Sequence, residues 1–143
     1  MNNIYLASDH AGVEMKKTLK ELLERNKYAV YDLGTKNDTS VDYPDYAKKI
    51  AKAVQNDTKS KGILICGTGI GMCMTANKIK GIRAALCYNV LTAKLSREHN
   101  DANILCLGAR TTTIDMAKKI TVAWIKTKHE GGERHARRIK KIG

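Results

Sequence analysis

The sequence predicts an α/β fold with helices on both faces of a mostly parallel sheet. Three observations lead there. Short apolar or β-branched runs alternate with longer amphipathic stretches along the chain. One short run, Gly62-Ile63-Leu64-Ile65-Cys66, is apolar throughout, as a central parallel strand should be. It passes directly through the glycine-rich turn Gly67-Thr68-Gly69-Ile70-Gly71 into a helical pattern.

Each element follows in order. Ile4 to Ala7 reads as a strand, and Val13 to Arg25 as a helix with Val13, Leu19, Leu22 and Leu23 on one face. Tyr28 to Leu33 is a second strand, closed by Gly34. A polar loop, Gly34 to Tyr43, leads past the single proline, Pro44, into a helix over Asp45 to Gln55 with Tyr46, Ile50 and Val54 at i, i+4, i+8. After the third strand, Gly62 to Cys66, Ile70 to Ile79 is helical. Arg83 to Cys87 and Ile104 to Leu107 are the fourth and fifth strands, separated by a helix over Val90 to Glu98. A long helix over Thr113 to Lys128 carries Ile114, Ala117, Ile120, Val122 and Trp124. Beyond Gly131-Gly132, Arg134 to Lys141 predicts a short basic helix. The whole is a three-layer α/β/α, Rossmann-like arrangement of five strands with a C-terminal helical tail, and crossovers should be right-handed.

The 143 residues fit one domain, 1–143, with the basic tail 131–143 as part of it. The ordinary hydrophobic content of 43% argues against disorder. No apolar run approaches the roughly 20 residues of a membrane helix, so no membrane partner is expected. The start, Met1-Asn2-Asn3-Ile4-Tyr5, lacks a basic region and is soon followed by Asp9 and His10, which argues against a secretory signal and for the cytoplasm. The four cysteines, Cys66, Cys73, Cys87 and Cys106, form no CxxC pair and have no histidine at zinc spacing, so free thiols and no metal are expected. The net charge of +12 favours anionic partners. Much of it is lysine on helical stretches (Lys16, Lys17, Lys20; Lys48, Lys49, Lys52; Lys118, Lys119), which reads as solvated faces. With no Phe and few aromatics, stacking platforms for single-stranded nucleic acid are not apparent.

Ligands of open α/β sheets bind beyond the carboxyl ends of the strands. Strand one ends in Ser8-Asp9-His10-Ala11-Gly12, strand three in Cys66 and its glycine turn, and strand five in Gly108-Ala109-Arg110. An acid, an imidazole, a thiol, a glycine loop and a guanidinium thus collect at one edge. The loop Gly67 to Gly71 lacks the Gly-Lys-Ser/Thr of a Walker loop, and Met72 stands where a dinucleotide fingerprint needs its third glycine. It reads as an anion or oxyanion cradle, with a plain tight turn as the alternative. Cys66 at its lip is either a core residue or a base or nucleophile, since a helix N-terminus favours thiolate. His99, just past a helix, could act in chemistry or simply favour the helix dipole. Arg134 and Arg138, at i, i+4 of the terminal helix, share a face and suit a phosphate; a frayed basic tail is the alternative. Ile139 and Ile142 mark a different face that could dock on the body.

Together these residues closely resemble ribose-5-phosphate isomerase of type B, a family that includes galactose-6-phosphate isomerase subunits and enzymes acting on allose 6-phosphate. The resemblance runs through Asp9-His10-Ala11-Gly12, Asp42-Tyr43-Pro44, Gly62 to Gly71, Ala76-Asn77-Lys78, Gly81-Ile82-Arg83-Ala84, Leu95 to Asn103, Gly108-Ala109-Arg110 and Glu130 to His135. It covers essentially the whole chain. It implies aldose–ketose isomerisation of a sugar phosphate without metal or organic cofactor. Cys66 would be the base that moves a proton between C1 and C2 through an enediolate. Met72 stands where some relatives carry a glutamate, which places this chain in the cysteine-using group. The amides of Gly67, Gly69, Ile70 and Gly71 would stabilise the enediolate oxygens. His99 would assist ring opening, with Thr68 and Asp9 on the sugar hydroxyls and Asn100 on the sugar or intermediate. His10, Arg110, Arg134 and Arg138 would hold the phosphate. Glu133 interrupts the Gly-Gly-Arg run of some relatives, and Arg137 is a rival to Arg138. The resemblance also implies a homodimer, or a tetramer built from it, with His99 and Asn100 donated across the interface.

The leading expectation is therefore a ribose 5-phosphate/ribulose 5-phosphate isomerase. The same chemistry on a 6-phosphohexose is the second. A nucleic-acid-binding module using the basic segment from Lys126 to Gly143 is the third and least favoured, so a sugar phosphate rather than nucleic acid is the expected partner.

Overall fold

The computed structural model describes residues 2–143. Five parallel strands, β1 (Asn3–Ser8), β2 (Ala29–Asp32), β3 (Lys61–Cys66), β4 (Ala84–Leu86) and β5 (Ile104–Gly108), form one sheet in the order β2-β1-β3-β5-β4. Helices α1 (Val13–Arg25), α2 (Tyr43–Asn56), α3 (Ile70–Ala76), α4 (Val90–Glu98) and α5 (Ile114–Lys126) connect or follow the strands, and α6 (Glu133–Ile142) ends the chain. The order in which strands are added reverses between β1 and β3, so the crevice at that topological switch falls beside Asp9 and Cys66.

Two apolar layers hold the sheet. On one face Met15, Leu19 and Leu23 of α1 and Ala117, Ile120 and Trp124 of α5 pack on Ile63, Ile65, Leu105 and Leu107. On the other, Ala47, Ile50, Ala51 and Val54 of α2 and Met72 and Ala76 of α3 cover Leu64, Cys66, Ile104 and Cys106. The alternation along β3 and β5 feeds both layers, which is why those strands are apolar throughout.

The elements match the sequence reading with local differences. The inward stripe of α1 is Met15–Leu19–Leu23, with Val13 and Leu22 at its margins. Helix α2 starts at Tyr43, because Pro44 fits the first helical turn, where its missing N–H is no loss. Helix α3 stops at Ala76, short of Ile79. There the Asn77 side chain pairs with both the amide and the carbonyl of Ala84, joining the helix end to β4. Lys16 is a correction: it is 3% exposed, because it lies at i+1 from Met15 and i−3 from Leu19, inside the apolar arc.

Candidate active site

The C-terminal edge of the sheet is tied together by short-range geometry. Asp9 caps a turn of 3₁₀ helix (His10–Gly12) by accepting from the Ala11 amide at 2.9 Å, and its own amide bonds to the Ile65 carbonyl at 3.0 Å. Asp9 is thereby buried beside β3, with His10 half-exposed at the mouth.

Cys66 ends β3 and is 4% exposed. The Gly69 amide donates to its Sγ at 3.1 Å, the contact a thiolate sulfur accepts. Gly69 holds φ at +78°, and a Cβ there would meet Leu86 Cδ1 at 2.6 Å and the Leu107 carbonyl carbon at 2.9 Å. Only glycine allows that turn. The amides that follow sit in the first turn of α3, where they lack intrahelical partners. Thr68 and Ile70 are exposed at the lip, with Thr68 Oγ1 accepting from the Ile70 amide at 3.3 Å. The Tyr43 ring lies against Gly71, since a Cβ there would meet it at 2.4 Å. The Arg110 amide donates to Gly67 at 2.9 Å, and its guanidinium lies over Gly67. Asp9, His10, Cys66, Thr68, the loop glycines, Ile70 and Arg110 thus form one cluster.

The other predicted residues lie elsewhere in the same chain. Helix α4 runs back along the sheet, so His99 and Asn100 emerge where β3, β4 and β5 begin. Arg83, just before β4, donates to the carbonyls of Asn100 and Asp101, and Asn103 receives the Gly62 amide at 2.9 Å. Arg134 and Arg138 follow on α6, joined to this edge through the His99–His135 ring stack, 4.5 Å between centroids and 12° from parallel. The six residues of β3, at about 3.3 Å each, put the two edges about 17 Å apart. One copy of the chain does not bring His99 to Cys66.

Two residues at this second edge escaped the sequence reading. Arg97 is 6% exposed and reaches the Thr127 carbonyl (3.2 Å), Asp101 (2.8 Å) and the Ala102 carbonyl (2.6 Å), fastening the segment that carries His99 and Asn100. His135 supports the His99 ring and pairs with Glu130 at 3.7 Å. Burial, with His99 and Arg134 nearby, holds the His135 imidazole below its ordinary pKa. The signal for Arg97 was its helical register with Ala93 and Ser96; none marked His135 beyond its place in the resemblance. The arginines Arg134, Arg137 and Arg138 are all exposed, as is Ile142, and Ile139 is half-buried, so the apolar face of α6 docks only in part.

The remaining thiols stand apart from the loop. Cys73 donates to the Ala84 carbonyl at 3.4 Å, and the hydrogen bond with the Cys106 thiol brings its pKa down to about 7. Its Cys106 partner, fully buried, is pushed well above the ordinary range. Cys87 is raised by burial.

With this geometry in hand, the likeness to known proteins is specific. The Ribose/Galactose Isomerase family profile matches residues 4–142. The chain belongs to that family. A probable ribose-5-phosphate isomerase B of Mycoplasma pneumoniae is 49% identical over 140 residues, spanning 97% of this chain and 91% of the relative. The ribose-5-phosphate isomerase B of Escherichia coli is 42% identical over 142 residues, 99% of this chain and 95% of the relative. Among solved structures, ribose-5-phosphate isomerase B of Clostridium thermocellum superposes with a TM-score of 0.96 at 48% identity, covering 99% and 95% of the two chains. That of Mycoplasma genitalium, solved with bound ribulose 5-phosphate, superposes at 0.94 and 48% identity, covering 98% and 93%. As a family member the chain is an isomerase of the α/β class that its strand order displays. No helix among the described residues is long and apolar enough to cross a membrane.

Proposed function

We propose that this chain interconverts ribose 5-phosphate and ribulose 5-phosphate. The observation that carries the reading is the Cys66 sulfur held under the Gly69 amide at the mouth of a donor-rich loop. A proton α to a carbonyl is weakly acidic, so base and oxyanion stabilisation must act together. Cys66 takes the proton from one carbon and returns it to its neighbour, while the hydroxyl proton passes from O2 to O1 of the enediolate. The amides of Gly67, Gly69, Ile70 and Gly71 hold the enediolate oxygens between the two steps, and Thr68 and Asp9 orient the sugar hydroxyls. Phosphate binding by His10, Arg110, Arg134 and Arg138 fixes the open-chain sugar in register.

The working unit in this proposal is a homodimer. His99, which assists ring opening, and Asn100 belong to the partner copy at each site, as do Arg134 and Arg138. Two features support it. His99 and Cys66 lie on opposite edges of one chain. Ile70 and Met74, at i, i+4 on α3, are 42% and 66% exposed, an apolar face left without a cover, and Leu91 on α4 is 65% exposed. The chemistry is a proton transfer between substrate carbons by way of a base this chain supplies, with no organic cofactor or metal assigned a step.

The test is turnover of ribose 5-phosphate by purified protein with a chelator present, beside allose 6-phosphate and galactose 6-phosphate. Efficient conversion of the pentose is expected. Activity on a hexose phosphate alone would overturn the substrate assignment and leave the mechanism. Activity on none would overturn the function.

A further inference from the structure

We infer that the strap 34–42, clamped at its root by buried Lys16, is a positioning element that locks His10 as the neutral Nε2–H tautomer, aimed to donate to an anion. The functional consequence rests on the reading of His10 as a phosphate ligand; the tautomer itself does not.

The deciding contact is the Val41 amide, which donates to His10 Nδ1 at 3.2 Å. A backbone N–H has no lone pair to offer, so Nδ1 must be the bare nitrogen and Nε2 carries the proton. The phosphate dianion of a sugar phosphate presents only acceptors. The ring held this way meets it with a donor, while the opposite tautomer would meet it with a lone pair.

Residue 41 is far from His10 in sequence, so something must hold the strap in place. Its root is laced to the end of β1: the Ser8 amide donates to the Gly34 carbonyl at 2.8 Å, and the Thr35 amide to the Ser8 carbonyl at 2.9 Å. Asp32 turns the chain by accepting from the Gly34 amide at 2.9 Å. Lys16 joins both sides, with Nζ 2.7 Å from the same Asp32 carboxylate and bonded to the Thr35 carbonyl. A lysine 3% exposed is tolerated here because its charge is paired with Asp32 and two of its three donors are taken up. Further along, the Asn37 side chain accepts from the Thr39 amide at 3.0 Å and turns the strap back toward His10. The other end runs into Tyr43–Pro44 at the start of α2. Both ends are thus fixed, and Val41 is delivered to the imidazole.

The experiment is NMR on uniformly ¹⁵N-labelled, ligand-free protein, reading the scalar coupling across the N–H···N bond between Val41 and His10 Nδ1. A coupled pair is expected, lost in His10→Gln, with Nε2 protonated. A protonated Nδ1, or no coupling with the Val41 amide visible, would overturn the proposal. Inorganic phosphate should then shift the His10 Nε2–H resonance while the Val41 coupling persists. In Lys16→Met the coupling should weaken and KM for ribose 5-phosphate should rise about three- to tenfold, the worth of one hydrogen bond, with kcat within twofold. Unchanged KM and coupling would overturn the clamp. Asp32→Asn keeps the Gly34 acceptor and weakens only the ion pair, so it gives the same readout if Lys16→Met does not fold. A coupled Val41–His10 pair in a protein that turns over no pentose phosphate would sink the proposed function and leave the positioning intact.

Discussion

The two edges of the sheet differ in how they are built. At the C-terminal edge, the thiol, the acid and the glycine loop are held by backbone bonds inside the sheet, and Asp9 and Cys66 are 7% and 4% exposed. At the other edge, the basic groups ride on α6, a helix with no buried residue, joined to the body by a ring stack and a few contacts. Proton abstraction tolerates little misplacement, so its groups belong on strands and tight turns. Charge attraction to a phosphate acts over longer distances, so in the proposed function exposed arginines on a peripheral helix suffice to begin capture. Under the proposed function, each copy therefore carries two half-sites of different burial.

The sharpest way to break this comparison is subunit complementation. Cys66→Ala should lose about a thousandfold in kcat, the usual worth of a general base. His99→Ala should lose most turnover on the ring-closed sugar, through the other edge. Mixed and allowed to exchange, the two inactive proteins should regain about a quarter of wild-type activity: half the dimers are mixed, and each has one intact site. No recovery, with exchange verified by mass spectrometry, would mean that the two half-sites do not meet across copies. Cys73→Ser serves as the control and should stay within twofold of wild type, since its sulfur faces Ala84 rather than the loop.

The next largest contrast uses one residue type on both edges. Gly69 and Gly132 both have positive φ, +78° and +89°. An alanine at Gly69 would strike Leu86 and the Leu107 backbone, whereas at Gly132 nothing lies within 4 Å. Gly69→Ala should lose about 3 kcal/mol, backbone strain plus overpacking, and Gly132→Ala about 1 kcal/mol from strain alone. Urea unfolding measures both. Equal losses would mean that the loop gives way as easily as the tail.

How much of this was legible in the sequence follows the same divide. The strands, their parallel pairing and the C-terminal-edge cluster were readable, because local periodicity and the parallel-sheet rule place them without long-range knowledge. The Cys66–Gly69 contact follows from a strand running into a turn that demands glycine. Lys16 was misread as part of a solvated face, because a lysine triplet on a helix usually is one and its partner Asp32 is 16 residues away. The Val41–His10 bond spans 31 residues through an irregular strap, for which sequence offers no register. That His99 and the tail arginines lie across the sheet from Cys66 follows from helix direction. In the proposed homodimer, what they face there belongs to a second copy, which no single-chain pattern encodes.

Smaller effects should come from the tail arginines. Replacing Arg134 or Arg138 by Ala should raise KM for ribose 5-phosphate about ten- to a hundredfold with modest change in kcat, the worth of charged hydrogen bonds to a phosphate. Arg137→Ala should do little, because on α6 it lies about 100° around the helix from Arg138. A larger effect at Arg137 would exchange their roles. Unchanged KM in all three would leave the flexible edge without its assigned task.

The smallest expected effect is a slope. The His135 imidazole is held below its ordinary value of 6.5 by burial and by its neighbours His99 and Arg134, with Glu130 opposing them. As pH falls through 6.5 the unfolded chain takes up this proton before the folded one does, so folding stability declines from 6.5 down to the lowered value and is indifferent to this group above it. A melting series from pH 8 to 5 should show that decline in the wild type and a shallower one in His135→Gln. The rigid edge should not contribute the difference, so the same substitution should leave the Val41–His10 coupling untouched. If His135→Gln steepens the decline instead, the stack on His99 stabilises the charged ring, and His135 belongs with the phosphate-facing cations rather than beneath His99 as its support.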